Sequence, residues 1–306
     1  MIQAFKHCRP VLSVDDTFLT GMYKGQMLTC IGVYANNKVV PIAFAFVESE
    51  NAESWLWFLS LIKRAVVCER PNMFVLHDRH KGILSAVKKL QKGRDVDAAW
   101  PDLHSRWCMR YMGANFYSKF RSKRLEDLFK KMCKQNQHCK FDELWALLDK
   151  LTTSYMEEVR KKPVVAREEE PRGLEPNEGE PARVTRRRKG GRSVKCFSEW
   201  IKNEPQEKWA LIVDTDGSRH RMMTTNLAEV YNWVLKACRS LPLVAIVECI
   251  LRGTVAYLCE RFQEASIAVR NPQIVYCSKM TEILKKNKCQ GNATSSQIHR
   301  QPGFCF

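Results

Sequence analysis

Between residues 11 and 48 the chain reads VLSVDDTFLTGMYKGQMLTCIGVYANNKVVPIAFAFVE. Short runs rich in Val, Ile, Leu, Phe and Thr are separated by two polar breaks, GMYKG and ANNK. Glycine reaches positive φ cheaply and asparagine tolerates the left-handed region, so the pattern predicts an antiparallel meander of three strands. In the first run Val11, Leu12 and Val14 are apolar, and Asp15 and Asp16 then interrupt. A carboxylate left unpaired in a central strand is strongly disfavoured. The pair therefore closes the strand into solvent, meets a partner charge or binds a metal, and the run alone leaves these readings open.

The period then changes. After Asn51, a natural cap, Trp55, Phe58, Leu59, Ile62 and Val66 fall at helical spacing and predict a helix on one face of the sheet. Beyond Pro71 the apolar run NMFVLHD ends in His77 and Asp78. A second carboxylate thus sits at the C-terminal end of a strand, where α/β folds commonly place ligands. A helix with Ile83, Leu84, Val87 and Leu90 on one face follows.

Residues 101–160 read as helical throughout, with one stripe at Leu125, Leu128, Phe129 and Met132 and another at Leu144, Leu147, Leu148 and Leu151. Residues 161–195 carry few apolar side chains and predict a disordered charged linker. Its cluster Arg186, Arg187, Arg188 and Lys189 reads equally as a nuclear import signal or as linker charge. Order resumes at FSEWIKNEP; KWALIVD is a strand candidate, DTDGSR a turn, and TTNLAEVYNWVLKACRSL a helix. Asn226 is its expected N-cap, and Glu229 three residues on would complete a capping box. After Pro242, LVAIVECILRGTVAYLCERF predicts a further helix, and residues 271–306 show no sustained period, so little order is expected there.

Charge sharpens this outline. The 306 residues carry 50 Lys and Arg against 33 Asp and Glu, a net charge of +17. That excess suggests a polyanionic partner, nucleic acid before a membrane surface. Lys119, Arg121, Lys123, Arg124, Lys130, Lys131 and Lys134 crowd the polar side of the first stripe. Such a run is either a solvated face or a phosphate-facing one, and its single sign favours the latter. No apolar run approaches the roughly 20 residues of a membrane span. Thirteen cysteines without regular spacing read as reduced thiols of the cytosol or nucleus. The groups Cys133, His138, Cys139 and Cys289, His299, Cys305 each supply too few ligands for a structural zinc site.

Asp15 in a strand, Asp78 at the end of another and Glu229 at a helix start are the acids that stand out. Taken with LSVDDTFLTGMYKGQMLTCIGV, PIAFAFVESENAESWLWFL, VLHDRHKGILSAV, CMRYMGANF and TTNLAEVYNWVLKA, they make the chain resemble a plant Mutator-like element (MULE) transposase over about residues 5–265. The resemblance implies an α/β fold: an RNase H-like mixed sheet with flanking helices, interrupted by a helical insertion. It implies a catalytic core in two parts, residues 1–100 and 196–270, around a basic insertion at 101–160 and the linker at 161–195, with 271–306 as a divergent tail. It further implies DNA transposition in the nucleus, by a DDE-type core that cleaves DNA and transfers strands at transposon ends. Asp15 in VDDT, Asp78 in HDRH and Glu229 in TTNLAEVYN match the family's acids. They would hold two Mg²⁺ or Mn²⁺ ions, hard cations that favour carboxylate oxygen.

The partner implied is DNA, with self-association left open. Departures point to an alternative, a non-catalytic DNA-binding or regulatory protein derived from a transposase. The family's C-x-x-H element appears as Cys108-Met109-Arg110-Tyr111, with Tyr in the place of His. A phenol does not readily take over imidazole's role at neutral pH. His220-Arg221 stands where relatives tend to carry an aromatic-Gly pair, and Tyr34 where they often carry Asp. Neither a separate N-terminal DNA-binding module nor a zinc knuckle is expected.

Overall fold

A computed structural model describes residues 2–34, 36–93, 98–161, 196–214, 222–271 and 274–298. The linker with its basic cluster, and the pair His220-Arg221, lie outside the described residues. The chain divides into two compact units, residues 1–111 with 214–306, and residues 112–213.

In the first unit a short helix α1 (Ile2–Phe5) precedes β1 (Val11–Phe18), β2 (Gln26–Val33) and β3 (Val39–Val47). They pair antiparallel in sequence order, as the turn residues require. Helix α2 (Ala52–Ile62) follows, started by Asn51, whose Oδ1 accepts from the backbone N–H groups of Glu53 and Ser54 at 2.9 Å. Then come β4 (Phe74–His77), α3 (Lys81–Lys92) and β5 (His104–Trp107). The sheet order is β3-β2-β1-β4-β5, with β4 parallel to both β1 and β5. This mixed sheet flanked by helices and broken by a helical insertion has the RNase H-like arrangement.

Alternation along the strands sorts side chains to two faces. Leu12, Val14, Leu28 and Cys30 pack with Trp55, Phe58 and Leu59 of α2 and Ile83, Val87 and Leu90 of α3, all buried. Met27 and Ile31, one residue out of step, face the other way. They pack against Ala228 and Tyr231 of α9 (Asn226–Val234) and Ile246 and Ile250 of α10 (Leu243–Arg270).

Helix α4 (Met109–Phe120) leaves β5 and enters the second unit, which holds α5 (Lys123–Cys133), α6 (His138–Lys161), α7 (Phe197–Ile201) and α8 (Gln206–Trp209). Its core is aromatic: Phe116 and Phe129 stack with centroids 5.0 Å apart, and Trp200 meets both edge-on.

The structure departs from the sequence expectations in four places. Residues 104–107 are a strand within the stretch expected to be wholly helical; HSRW has no telling period, and its extended form is fixed by pairing with β4. Residues 196–213 belong with the helical unit and not with the core, because Phe197, Trp200 and Trp209 pack into the aromatic cluster. KWALIVD is not a strand: α8 ends at Trp209, and the Leu211 N–H donates to the Cys133 carbonyl at 2.9 Å and not to a sheet edge. Finally, residues 278–298 of the tail form a helix, α11 (Ser278–Ile298).

Candidate active site

The register of β1 and β4 aligns the first two acids. Ser13 lies opposite Leu76 in the parallel pair. Continued by two residues, that register brings Asp15 of β1 beside Asp78, which directly follows the last residue of β4, His77, and the charge of Asp78 acts on both Asp15 and Asp16. Asp16, between two faces in sequence but not in space, points the other way.

Asp15 is 9% exposed. Its Oδ2 accepts from Asn232 Nδ2 at 2.9 Å, and its Oδ1 from the Tyr111 hydroxyl at 3.3 Å. Burial, reinforced by the charges of Asp16 and Asp78, pushes its carboxyl up to about 7 despite those two hydrogen bonds. Burial, followed by the charges of Asp15, Cys108 and Asp78, raises the Tyr111 phenol well above its ordinary value, so it stays a donor. Asp78 Oδ1 accepts from the His80 N–H at 3.0 Å. On the far side, Asp16 Oδ2 accepts from Gln26 Nε2 at 3.2 Å, while Glu50 pairs with His80 at 2.8 Å and accepts from Trp55 Nε1 at 2.9 Å. Burial raises both Asp16 and Glu50.

Glu229 comes from α9. This helix is anchored beside β5: the Thr225 N–H donates to Cys108 Sγ at 3.2 Å, and the Met109 N–H to the Met223 carbonyl at 2.7 Å. Cys108 thus has a structural task, fixing the entry to α9. The expected capping box is not formed. Thr225, one residue before Asn226, is the N-cap and makes no side-chain cap bond, so Glu229 falls one position too late. Instead Thr225 Oγ1 donates to Glu229 Oε1 at 3.3 Å, and Arg110 forms an ion pair with Glu229 Oε2. Asn232, three residues after Glu229 and so on the same side of α9, is the residue that reaches Asp15. The Asp15 and Glu229 carboxyls therefore lie on the same side of the sheet.

The donor chemistry suits a hard divalent cation at Asp15 and Asp78. Burial, then the charge of Asp16 and after it that of Asp78, raises the Asp15 carboxyl, and the buried Oδ1 of Asn232 has no hydrogen-bond partner among the described residues. Among the described residues no three His, Cys, Asp or Glu side chains form a ready-made metal-holding group. Glu229 is engaged by Arg110 and by the Thr225 hydroxyl.

Sequence reasoning missed Asn232 and Arg110. The first had a signal in its spacing from Glu229; the second had none, since the partner of an exposed arginine follows from tertiary structure.

The expected basic face lies on the second unit and is partly neutralised. Lys123 and Lys130 pair with Glu126, at 3.0 Å for the former, and Lys123 also with Asp127 at 3.3 Å. Burial pushes Glu126 up, but the two lysines hold it below its ordinary value. Lys119, Arg121, Arg124, Lys131 and Lys134 make no ion pair among the described residues. No helix of the described residues is long and apolar enough to cross a membrane.

A comparison with curated proteins finds no match. A family comparison matches residues 11–115, which span β1 to the first half of α4 and include Asp15, Asp78, Cys108 and Tyr111. That segment of the chain belongs to the MULE transposase domain family.

Proposed function

We propose that the protein is a DDE-type transposase core, which cleaves DNA at transposon ends and transfers the freed strands, acting in the nucleus. Asp15, Asp78 and Glu229 are its acids and two Mg²⁺ or Mn²⁺ ions its cofactor. The observation that supports this reading best is the parallel pairing of β1 and β4, whose register continues toward Asp15 and Asp78, together with the hydrogen bond from Asn232 of α9 to Asp15. Bound divalent ions would activate the attacking oxygen and stabilise the leaving one. Asp15 and Asp78 would hold them, and Glu229 would join after parting from Arg110. Asn232 and Tyr111 keep the Asp15 carboxyl oriented. Lys119, Arg121, Arg124, Lys131 and Lys134 would take the phosphate backbone, which positions DNA without reading its sequence.

The ion pair between Arg110 and Glu229, and Tyr111 in the position of the family's His, favour a second reading: a DNA-binding or regulatory protein without catalysis. Nicking of a DNA duplex by the purified chain in Mn²⁺ separates the two. The first reading expects nicking that Asp78→Ala abolishes, and a further rise in rate for Tyr111→His. The second expects salt-sensitive binding, with a log-log slope of about −0.9 per phosphate neutralised, and no nicking by any form. Exchange of Arg124 and Lys131 for Glu weakens binding under both; binding that is unchanged would remove this face from the interface.

A further inference from the structure

Arg110 and Glu229 form their ion pair at the rim of the Asp15 site. Tyr111, the residue after Arg110, donates to Asp15 Oδ1 at 3.3 Å. Asn232, about one turn of α9 beyond Glu229, donates to Asp15 Oδ2 at 2.9 Å. Each member of the pair therefore has a near neighbour in its own helix that holds the acid. The backbones are tied as well, through the Met109 N–H to the Met223 carbonyl and the Thr225 N–H to Cys108 Sγ. What can move is the Arg110 side chain, which is 60% exposed, against 14% for that of Glu229. The arginine engages Oε2 and the Thr225 hydroxyl donates to Oε1 at 3.3 Å, so both oxygens of Glu229 are occupied.

We propose that Arg110 is a latch opened by a phosphate of the DNA backbone, an inference that rests on the reading of the protein as a metal-dependent transposase core. In the free chain the guanidinium neutralises Glu229 and keeps it from a divalent cation. A planar guanidinium fork fits phosphate as well as carboxylate. Duplex DNA offers one negative charge per about 1.7 Å of its axis, where Glu229 offers one in all. An ion pair with one partner largely in solvent is weakly held, so the exchange meets little resistance. Once Arg110 has turned to a phosphate, Glu229 keeps its bond from Thr225 and has Oε2 free. Each member of the pair masks the other's ligand: Arg110 hides a carboxylate from the cation, and Glu229 hides a guanidinium from DNA. Linkage makes the effect reciprocal, so that binding either ligand favours the other.

A double-mutant cycle on the full chain tests this with two binding readouts, and circular dichroism checks folding. Mn²⁺ binding without DNA is read from the electron paramagnetic resonance of the free ion. Arg110→Gln should tighten it about tenfold or more, but by under about threefold when Glu229→Gln is also present, the remainder being the loss of a positive charge. Binding of a short DNA duplex in EDTA is read by fluorescence anisotropy. Glu229→Gln should tighten it about fivefold or more, but by under about twofold when Arg110→Gln is also present. Should Arg110→Gln not fold, Arg110→Lys takes its place; it keeps the charge, lacks the fork, and is expected to tighten Mn²⁺ binding by a smaller factor, again only with Glu229 intact. Effects that simply add, in a chain that binds Mn²⁺ and DNA, overturn the latch and leave the core reading standing. Absence of Mn²⁺ or DNA binding in every form overturns the core reading, and the latch with it.

Discussion

On the face of the sheet bearing Leu12, Val14, Leu28 and Cys30, α2 and α3 supply apolar side chains along nearly its whole length. On the opposite face α9 and α10 cover Met27 and Ile31, but beside them the packing gives way to Asp15, Asn232 and Tyr111. One face is committed to stability. The other gives up part of its apolar contact to hold a carboxylate in a setting that resists ionisation. Adjacent residues of β1 belong to these different settings, because alternation along a strand sends neighbours to opposite sides.

The sharpest way to break this contrast is to cut into the packed face. Leu59 is fully buried, and Leu59→Ala is expected to cost about 3 kcal/mol in urea unfolding, through lost burial and the cavity left behind. A loss under about 1 kcal/mol would show that this face is not where stability resides.

At the other face the sign reverses. Asp15 titrates at about 7 in the fold against 3.8 as its ordinary value. Between those values the native state holds more protons than the unfolded chain, so wild-type stability falls as pH rises from about 4 to 7. At 1.36 kcal/mol per pK unit the ceiling is about 4 kcal/mol. Asp15→Asn removes this charge and leaves Asp16 and Asp78, so it should stabilise by about 2 kcal/mol at pH 8 and by nothing near pH 4. Equal stability of the two forms across that range would place Asp15 among ordinary exposed carboxylates.

A smaller effect comes from Tyr111→Phe, which takes one of the two hydrogen-bond donors from Asp15. Above pH 7 the expected loss is about 1 kcal/mol, shrinking as Asp15 is protonated. Thermal unfolding at pH 5 and pH 8 reads the difference, and a pH-independent change would mean that Tyr111 only fills space.

The packed face is the more legible of the two in sequence. Trp55, Phe58, Leu59 and Ile62 announce α2 by spacing, and GMYKG and ANNK announce the meander. Much of the site is not legible in this way. Asp15 and Asp78 are visible as acids interrupting or ending apolar runs, but their coming together follows from the β1–β4 register, which no local pattern encodes. Glu229 reads as a capping residue because the spacing from Asn226 fits; the helix begins one residue away, and tertiary contacts of Thr225 decide that. β5 is too short for periodicity to mark.

The hydrogen bond between Asn232 and Asp15 joins residues 217 positions apart. On a ribosome adding about 5–20 residues each second, Asp15 emerges some 10 to 40 s before the side chain that holds it. Over that interval α2 and α3 can already cover their face of the sheet, while the other face has neither α9 nor α10 to meet. The same bond closes a loop whose entropy costs about 5 kcal/mol by the (3/2)RT ln n rule. The order in which the chain is made therefore lets the candidate active site assemble only after the packed face of the sheet can already have formed.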